Sequence, residues 1–494
     1  MSRLSIALAP GDGIGPEIMD ATLSLFRHAG VLDRIEFVPV EMGGSVFQKG
    51  NTRGMTDEAV RRVEEAGILF KGPMETPKGG GGKSINVTAR KLWNAHSNFR
   101  VFKTLPGVET VYSKAGINVD MCVVRENIED TYGGVEHRLS NDMMQCKRLI
   151  SAPGCDEVHR FAFQTARKLR LTRVHCGHKA NIMKMTDGLF LDRFRRTAKD
   201  FPEIEAGDVI VDALCMNLVM RPTQYQMIVL PNLQGDIVSD LCAGLVGGLG
   251  FAPSANIGNH ISIFEAVHGT APDIAGKGIA NPTSLILSGL MMLRHVCMGR
   301  EAALIENALL KTLESGARTG DFGDRTRPAL DTKAFIAAVI ERLGQMPATV
   351  PAVAVPDAGE TCFVRAPRPT AQRMIKTFEN VVSHPVGCDI YLDSILAPIE
   401  LAEAMNSIAE DTPFRLTLIS NRGTQVWPTG SVFTECVDYY RVRFELRENV
   451  APGSFGQARA IALLDRVAEK FTVCSYELLR TFDGVKGYSM AQGQ

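Results

Sequence analysis

From Leu4 to about Gly344 the chain alternates short apolar runs with longer amphipathic stretches, and this alternation constrains the fold more than any other feature. "LSIALAP", "AGILFKGP", "MCVVREN", "TRVHCGH", "DVIVDAL" and "QMIVLPN" read as buried strands. "GPEIMDATLSLFRHAG", with Pro16 in its first turn, and "NIMKMTDGLFLDRFRRTAKDF" carry helical spacing. Strands interleaved with helices call for crossover connections. The prediction is an α/β architecture around a largely parallel sheet.

The pattern breaks at "GQMPATVPAVAVPDAGETC", whose prolines and alanines suit an extended linker, placed at 346–360. Beyond it, 361–494 reads as a separate α+β domain. Strands "VGCDIYLD", "FRLTLISN", "DYYRVRFEL" and "TVCSYELLR" enclose helices "PIELAEAMNSIAE" and "GQARAIALLDRVAEKF" in the order β-α-β-β-α-β, the ferredoxin-like unit.

Composition bounds the function class. A net charge of −1 gives no bulk field to recruit nucleic acid or an anionic membrane. No apolar run is long enough to span a bilayer, and the start shows no targeting segment, so a cytoplasmic location is expected. The 11 cysteines include no C-x-x-C pair, which argues against structural zinc and a disulfide framework.

Several clusters carry chemistry. "GGGGKS" resembles a triphosphate loop, but the first glycine that such a loop needs is Pro77, so an ATP site is a weak reading. In "VLPNLQGDIVSDL", Asp236 and Asp240 are four apart and share a helix face just after a strand. Two adjacent carboxylates suit a hard divalent cation, Mg2+ or Mn2+; a solvated helix start is the plain alternative. Asp212 in "DVIVDAL" offers a third carboxylate. Arg90, Arg100 and Arg125 suit a polyanionic small molecule, although each alone reads as an ordinary surface or paired arginine. Lys179 and Tyr132 are candidate proton handlers. "GDGIGPE" and "GLGFAP" both fail the G-x-G-x-x-G fingerprint, so a standard Rossmann site is not supported.

Together "GDGIGPEI", "KGPMETP", "KSINVTARK", "VVRENIEDTYGGVEH", "HKANIMK", "GDIVSD", "GGLGFAPSANIG" and "EAVHGTAPDIAG…NP" resemble, in order, the metal-dependent β-decarboxylating dehydrogenases acting on isocitrate, isopropylmalate, homoisocitrate or tartrate. The resemblance covers residues 1–345. The tail, with "TPFRLTLISNRGTQVWP", resembles the extension of long bacterial isocitrate dehydrogenases of the Thermus type. The resemblance implies large (about 1–97 and 247–345) and small (about 98–246, with a dimer clasp) subdomains sharing one sheet. It implies isocitrate as substrate, and a homodimer with shared sites, in which Lys179 and Asp212 reach into the neighbouring subunit's site.

By the same resemblance Ser84 and Asn86 select isocitrate, and Arg90, Arg100 and Arg125 clamp its carboxylates. Tyr132 donates the proton that completes the reaction, and Lys179 acts near the hydroxyl. Asp212, Asp236 and Asp240 hold the metal. Lys71 and Thr76 lie near the nicotinamide; Glu265, His268, Gly269 and Asn281 belong to the adenosine loop. Where NADP-using relatives read "APKYAG", this chain reads "APDIAG". Asp273 would repel a 2′-phosphate and Ile274 lacks a hydroxyl, so NAD is the expected cofactor. Lys103 stands where relatives often have a second arginine. A sister specificity (isopropylmalate or homoisocitrate), the NADP-dependent isocitrate enzyme and a non-catalytic regulatory subunit are the competing readings. Retention of Tyr132, Lys179 and the three aspartates argues against the regulatory one.

Overall fold

The computed structural model describes residues 3–75, 84–355 and 381–489, apart from 432, 452, 454 and 455. The chain divides into two compact units, Met1–Gly133 with Arg148–Gln372, and Gly134–Lys147 with Arg373–Gln494.

In chain order the strands up to residue 266 are β1 (Leu4–Ala9), β2 (Ile35–Pro39), β3 (Ile68–Lys71), β4 (Ser97–Lys103), β5 (Asp120–Glu126), β6 (Glu136–Arg138), β7 (Met144–Cys146), β8 (Arg173–His178), β9 (Glu205–Ile210), β10 (Met227–Leu230), β11 (Pro253–Ile257) and β12 (Ser262–Ala266). All but β6 and β7 join one sheet, in the order β2-β1-β3-β12-β11-β4-β5-β10-β8-β9. The predicted parallel character holds at both ends of this sheet. Its centre is antiparallel, where β11 pairs with β12 and β4, and β4 pairs with β5.

That centre matters for function. Parallel strands buried on both faces read as unbroken apolar runs. Here the runs end in charge: β3 ends at Lys71, β5 carries Arg125 and Glu126, and β12 carries Glu265. Lys71 and Glu265 are register partners across β3 and β12. "DVIVDAL" is not one strand: β9 stops at Ile210 and a helix runs Val211–Met220, which puts Asp212 in its first turn. The helix Asn232–Leu245 follows β10 directly. Gly235 lets that helix lie on β5, since a Cβ there would come within 2.8 Å of the Arg125 side chain.

The second unit has the predicted order. β13 (Ser383–Asp393), helix Pro398–Ala409, β14 (Phe414–Asn421), β16 (Tyr439–Leu446), helix Gln457–Ala468 and β17 (Thr472–Phe482) are joined by short edge strands β15 (Thr424–Trp427) and β18 (Val485–Lys486). The antiparallel sheet runs β15-β14-β16-β13-β17-β18. Arg443 is buried within it and donates twice to Asp389, each at 2.7 Å. The β6–β7 hairpin, which sequence order places in the first region, groups with this unit. Lys147 pairs with Glu477 at 2.7 Å, and Ser140 Oγ donates to Asp438 at 2.7 Å.

Cys122, Cys155, Cys176, Cys242 and Cys388 are buried core thiols, as expected of structural cysteines. Among the described residues no helix is long and apolar enough to cross a membrane.

A buried histidine makes stability acid-sensitive. His159 in the helix Ala152–Lys168 is fully buried, with its ring centroid 4.4 Å from Phe190 and neither ring nitrogen hydrogen-bonded. Burial, assisted by Arg193, pushes it down to about 3. Above pH 6.5 it is neutral whether folded or unfolded. Below that the unfolded chain takes up a proton that the folded chain refuses, so stability is lost as pH falls from 6.5 towards 3. The loss is about 1.4 kcal/mol per pH unit across that window. His159→Leu should flatten the fall in Tm between about pH 7 and pH 5. An unchanged pH dependence in the variant would refute this.

Candidate active site

Asp236 is the meeting point of one cluster. Tyr132 donates its hydroxyl to Asp236 Oδ2 at 2.7 Å, and Arg125 pairs with Asp236 Oδ1. Arg125 also donates twice to Asn232 Oδ1, at 3.0 and 2.8 Å, and lies 4.8 Å from the Tyr132 ring centre. Arg100 donates to Ser239 Oγ at 2.7 Å and to Asp240 Oδ1 at 3.3 Å. Burial, with repulsion from Arg125 and Arg90, pulls Arg100 down to about 10. Burial raises Asp236 as well, but Arg125 and Tyr132 overcome it and hold the carboxyl below its ordinary range. Asp240 moves the other way, because burial and the neighbouring Asp236 outweigh Arg100. Burial raises the Tyr132 phenol, so it stays protonated at neutral pH.

A second cluster sits on β3 and β12. Glu265, 3% exposed, pairs with Lys71 at 2.5 Å and Arg90 at 2.8 Å, and accepts from Asn256 Nδ2 at 2.7 Å. Burial works against the Glu265 anion; Lys71 and Arg90 reverse this and hold it well below the carboxylate range. Burial lowers Lys71, opposed by Glu265. The two clusters are joined. Asn98 Nδ2 donates to Asn256 Oδ1 at 2.9 Å, and Arg100 Nε donates to Asn98 Oδ1 at 2.8 Å. A continuous hydrogen-bond chain thus runs from the buried Lys71 to the exposed Asp240.

Lys179 and Asp212 form a separate pair at 2.5 Å. They line a groove of about 380 Å³ with Cys215, Gln234 and Ile237. The structure therefore brings Asp236 and Asp240 together, with Asp212 apart from them. Among the described residues no three acids, histidines or cysteines converge as a metal site within one chain.

Ser84 occupies the position just before the helix Ile85–Leu92 without a side-chain capping bond, two residues before Asn86, whose buried Oδ1 has no hydrogen-bond partner. Thr76 lies outside the described residues, as do residues 79–83 of the glycine run. The loop from His268 to Asn281 is fastened from below. Ile14 N donates to Thr270 O at 2.9 Å, and Glu17 accepts from Gly278 and Ala280. Gly13, at φ +59, permits the contact, since a Cβ would sit 2.0 Å from Thr270 O. His268 Nε2 is buried and unpaired, and Gly269 is exposed. Two residues expected at the adenosine have other commitments. Glu265 faces Lys71 and Arg90, and Asn281 accepts from Thr283 N while donating to Asp321.

Residues 5–339 match the model of the isocitrate/isopropylmalate dehydrogenase family. The chain belongs to this family. Residues 384–494 match the C-terminal domain of bacterial isocitrate dehydrogenase. The chain is 42% identical to isocitrate dehydrogenase [NADP] of Thermus thermophilus, covering 100% of this chain and 96% of that one. It is 38% identical to isocitrate dehydrogenase [NADP] of Rickettsia prowazekii, covering 99% of each. A solved crystal structure of a Thermus thermophilus protein matches with a TM-score of 0.90 over 100% of this chain and 96% of that one, at 42% identity.

These relatives overturn the expectation of NAD. Both end-to-end isocitrate dehydrogenases carry NADP in their names, and the "APDIAG" argument fails physically. Ile274 packs on the hydrophobic core of the first unit, so its lack of a hydroxyl reports packing. Asp273 is exposed, and the exposed Lys277 lies in the same loop. A single solvated carboxylate is screened and contributes little.

Sequence reading of this family member missed Asn98, Asn232, Ser239 and Asn256. Each holds a candidate arginine or Glu265, and none carries a periodic or motif signal of chemistry. The asparagine in "PSANIG" was visible only as part of a family string.

Proposed function

We propose that the chain catalyses oxidative decarboxylation of isocitrate to 2-oxoglutarate and CO2, with NADP+ and Mg2+ or Mn2+. The observation that carries this reading is the convergence of Arg100 and Arg125 on the Asp236–Asp240 pair, with the Tyr132 hydroxyl on Asp236 and Arg90 held by Glu265 at the far end of the same hydrogen-bond chain. Lys71 and the three arginines face Glu265, Asp236 and Asp240, which leaves one net positive charge. A tricarboxylate with a divalent cation brings one negative charge and balances it.

The donor set fits the cation: two hard carboxylates share a helix face beside Arg100. Asp212 is the third ligand if it comes from a second copy, and exposed apolar side chains support such a dimer. Met216, Val219 and Met220 lie on one helix, and Leu233 and Ile237 on the next.

The arginines bind and orient the substrate carboxylates. Ser84 and Asn86 offer polar contacts that an isopropyl group would leave unpaired, which discriminates against isopropylmalate. Lys179, which enters from the second copy together with Asp212, lies beside the C2 hydroxyl and relays its proton out of the site as the hydride departs. Tyr132 returns a proton to the carbon that loses CO2. When bound, NADP+ accepts the hydride, and the cation polarises the C2 oxygen and offsets the charge left after decarboxylation.

Initial rates of the purified chain with Mg2+ test this, crossing isocitrate, isopropylmalate and homoisocitrate with NADP+ and NAD+. The expected kcat/KM favours isocitrate over isopropylmalate by about 10⁴-fold. It favours NADP+ over NAD+ by at least about tenfold, or roughly 1.4 kcal/mol. Preference for another acid, or for NAD+, overturns the corresponding half of the proposal.

A further inference from the structure

We infer that Arg148 is a positioning residue that fixes the turns carrying two proton-handling side chains, Tyr132 and Lys179, which in a dimer with shared sites serve the chain's own site and its neighbour's. The inference rests on the roles proposed for those two residues. Arg148 lies just after β7, and its guanidinium sits between two fully buried carboxylates. Its Nε donates to Asp130 Oδ1 at 2.5 Å and its Nη2 to Asp130 Oδ2 at 3.4 Å. Its Nη1 pairs with Asp187 Oδ1 and donates to Thr186 Oγ1 at 3.2 Å.

Each carboxylate in turn grips main-chain N–H groups beside the chemistry. Asp130 Oδ1 accepts from Thr131 N at 2.8 Å, next to Tyr132, and its Oδ2 accepts from Leu233 N at 3.0 Å. Leu233 lies in the first turn of the helix that carries Asp236 and Asp240. Asp187 Oδ2 accepts from Lys179 N at 2.6 Å and from Gln234 Nε2 at 3.0 Å. One guanidinium therefore ties together the Tyr132 turn, the Lys179 turn and the Asp236 helix, which are distant in sequence.

The geometry is costly, and so it is specific. Asp130 holds φ +65, in the left-handed region that non-glycine residues seldom adopt. Two buried carboxylates share one guanidinium, so loss of Arg148 strands two anions. A planar fork is needed to reach both, and a lysine has none.

Arg148→Lys should lower kcat roughly 10- to 100-fold while KM for isocitrate and NADP+ stays within about threefold, since misplaced proton-transfer groups affect the chemical step more than binding. The limbs of the pH–kcat profile should also move, which loss of fold alone would not cause. Arg148→Met combined with Asp187→Asn keeps the cluster's net charge while breaking the bridge, and should show the same split if the single variant fails to fold. Hydrogen exchange gives a readout independent of turnover: the Thr131 and Lys179 amides should lose protection together in both variants. If the parent chain does not turn over isocitrate, the functional proposal fails, and joint loss of protection still upholds the tie. Retained protection at these amides overturns the inference. So does a fall in kcat that tracks Tm with an unmoved pH profile, or kcat within about twofold of the parent in both variants.

Discussion

Asp236→Asn should lower kcat/KM for isocitrate by at least about 10³-fold, roughly 4 kcal/mol of transition-state stabilisation. No other described side chain in the first unit serves the arginine pair and the tyrosine together. Its Oδ1 pairs with Arg125 and lies 3.8 Å from Arg100, and its Oδ2 accepts the Tyr132 hydroxyl. The amide keeps the shape but gives up the charge that a cation needs and presents a donor to two guanidiniums. Arg125 retains its two bonds to Asn232, so the fold survives. Titrating Mg2+ against activity should show a weaker apparent metal affinity alongside the lost turnover. Activity within about tenfold of the parent at saturating Mg2+ would show that Asp236 is not at the centre of the chemistry.

The second large effect is on stability. Lys71→Met should destabilise the first unit by about 3–5 kcal/mol, because it removes one partner from a buried ion pair. Glu265→Gln should cost a similar amount by stranding Lys71, which is 2% exposed. The double variant should cost clearly less than the sum, since neither charge is then left alone. Denaturant midpoints of the four proteins measure this coupling; additive effects, or single losses under about 1 kcal/mol, would argue against it. The pH sign follows from the depressed Glu265. Its stabilisation is fully present above the ordinary glutamate range and is lost as pH falls through the lower folded value. Glu265→Gln should remove that part of the acid sensitivity.

How much of the site was legible varies by residue, and the reason is range. Asp236 and Asp240 were visible because four residues is one helical turn, and the helix Asn232–Leu245 does place both beside Arg100. Lys71 was expected only by resemblance, near the nicotinamide, and as the end of an apolar strand. Its partner Glu265 is a register neighbour from a strand almost two hundred residues later, so the pairing had no local signature. The "APDIAG" reading went wrong because a loop has no period. Nothing local says that Ile274 turns to the core while Asp273 stays in water.

The sequence alone determined the α/β class, the β-α-β-β-α-β order of the second unit and the family. All of these rest on local periodicity or on strings of adjacent residues. The tertiary structure decided the antiparallel centre of the sheet, the grouping of the β6–β7 hairpin with the second unit, and the separation of Asp212 from Asp236 and Asp240. It also decided the buried relay through Asn98 and Asn256 and the bridge through Arg148. Those features are hydrogen bonds and ion pairs between residues far apart in the chain. A buried charge must find its partner wherever the fold brings one, and only the packed sheet shows where that is.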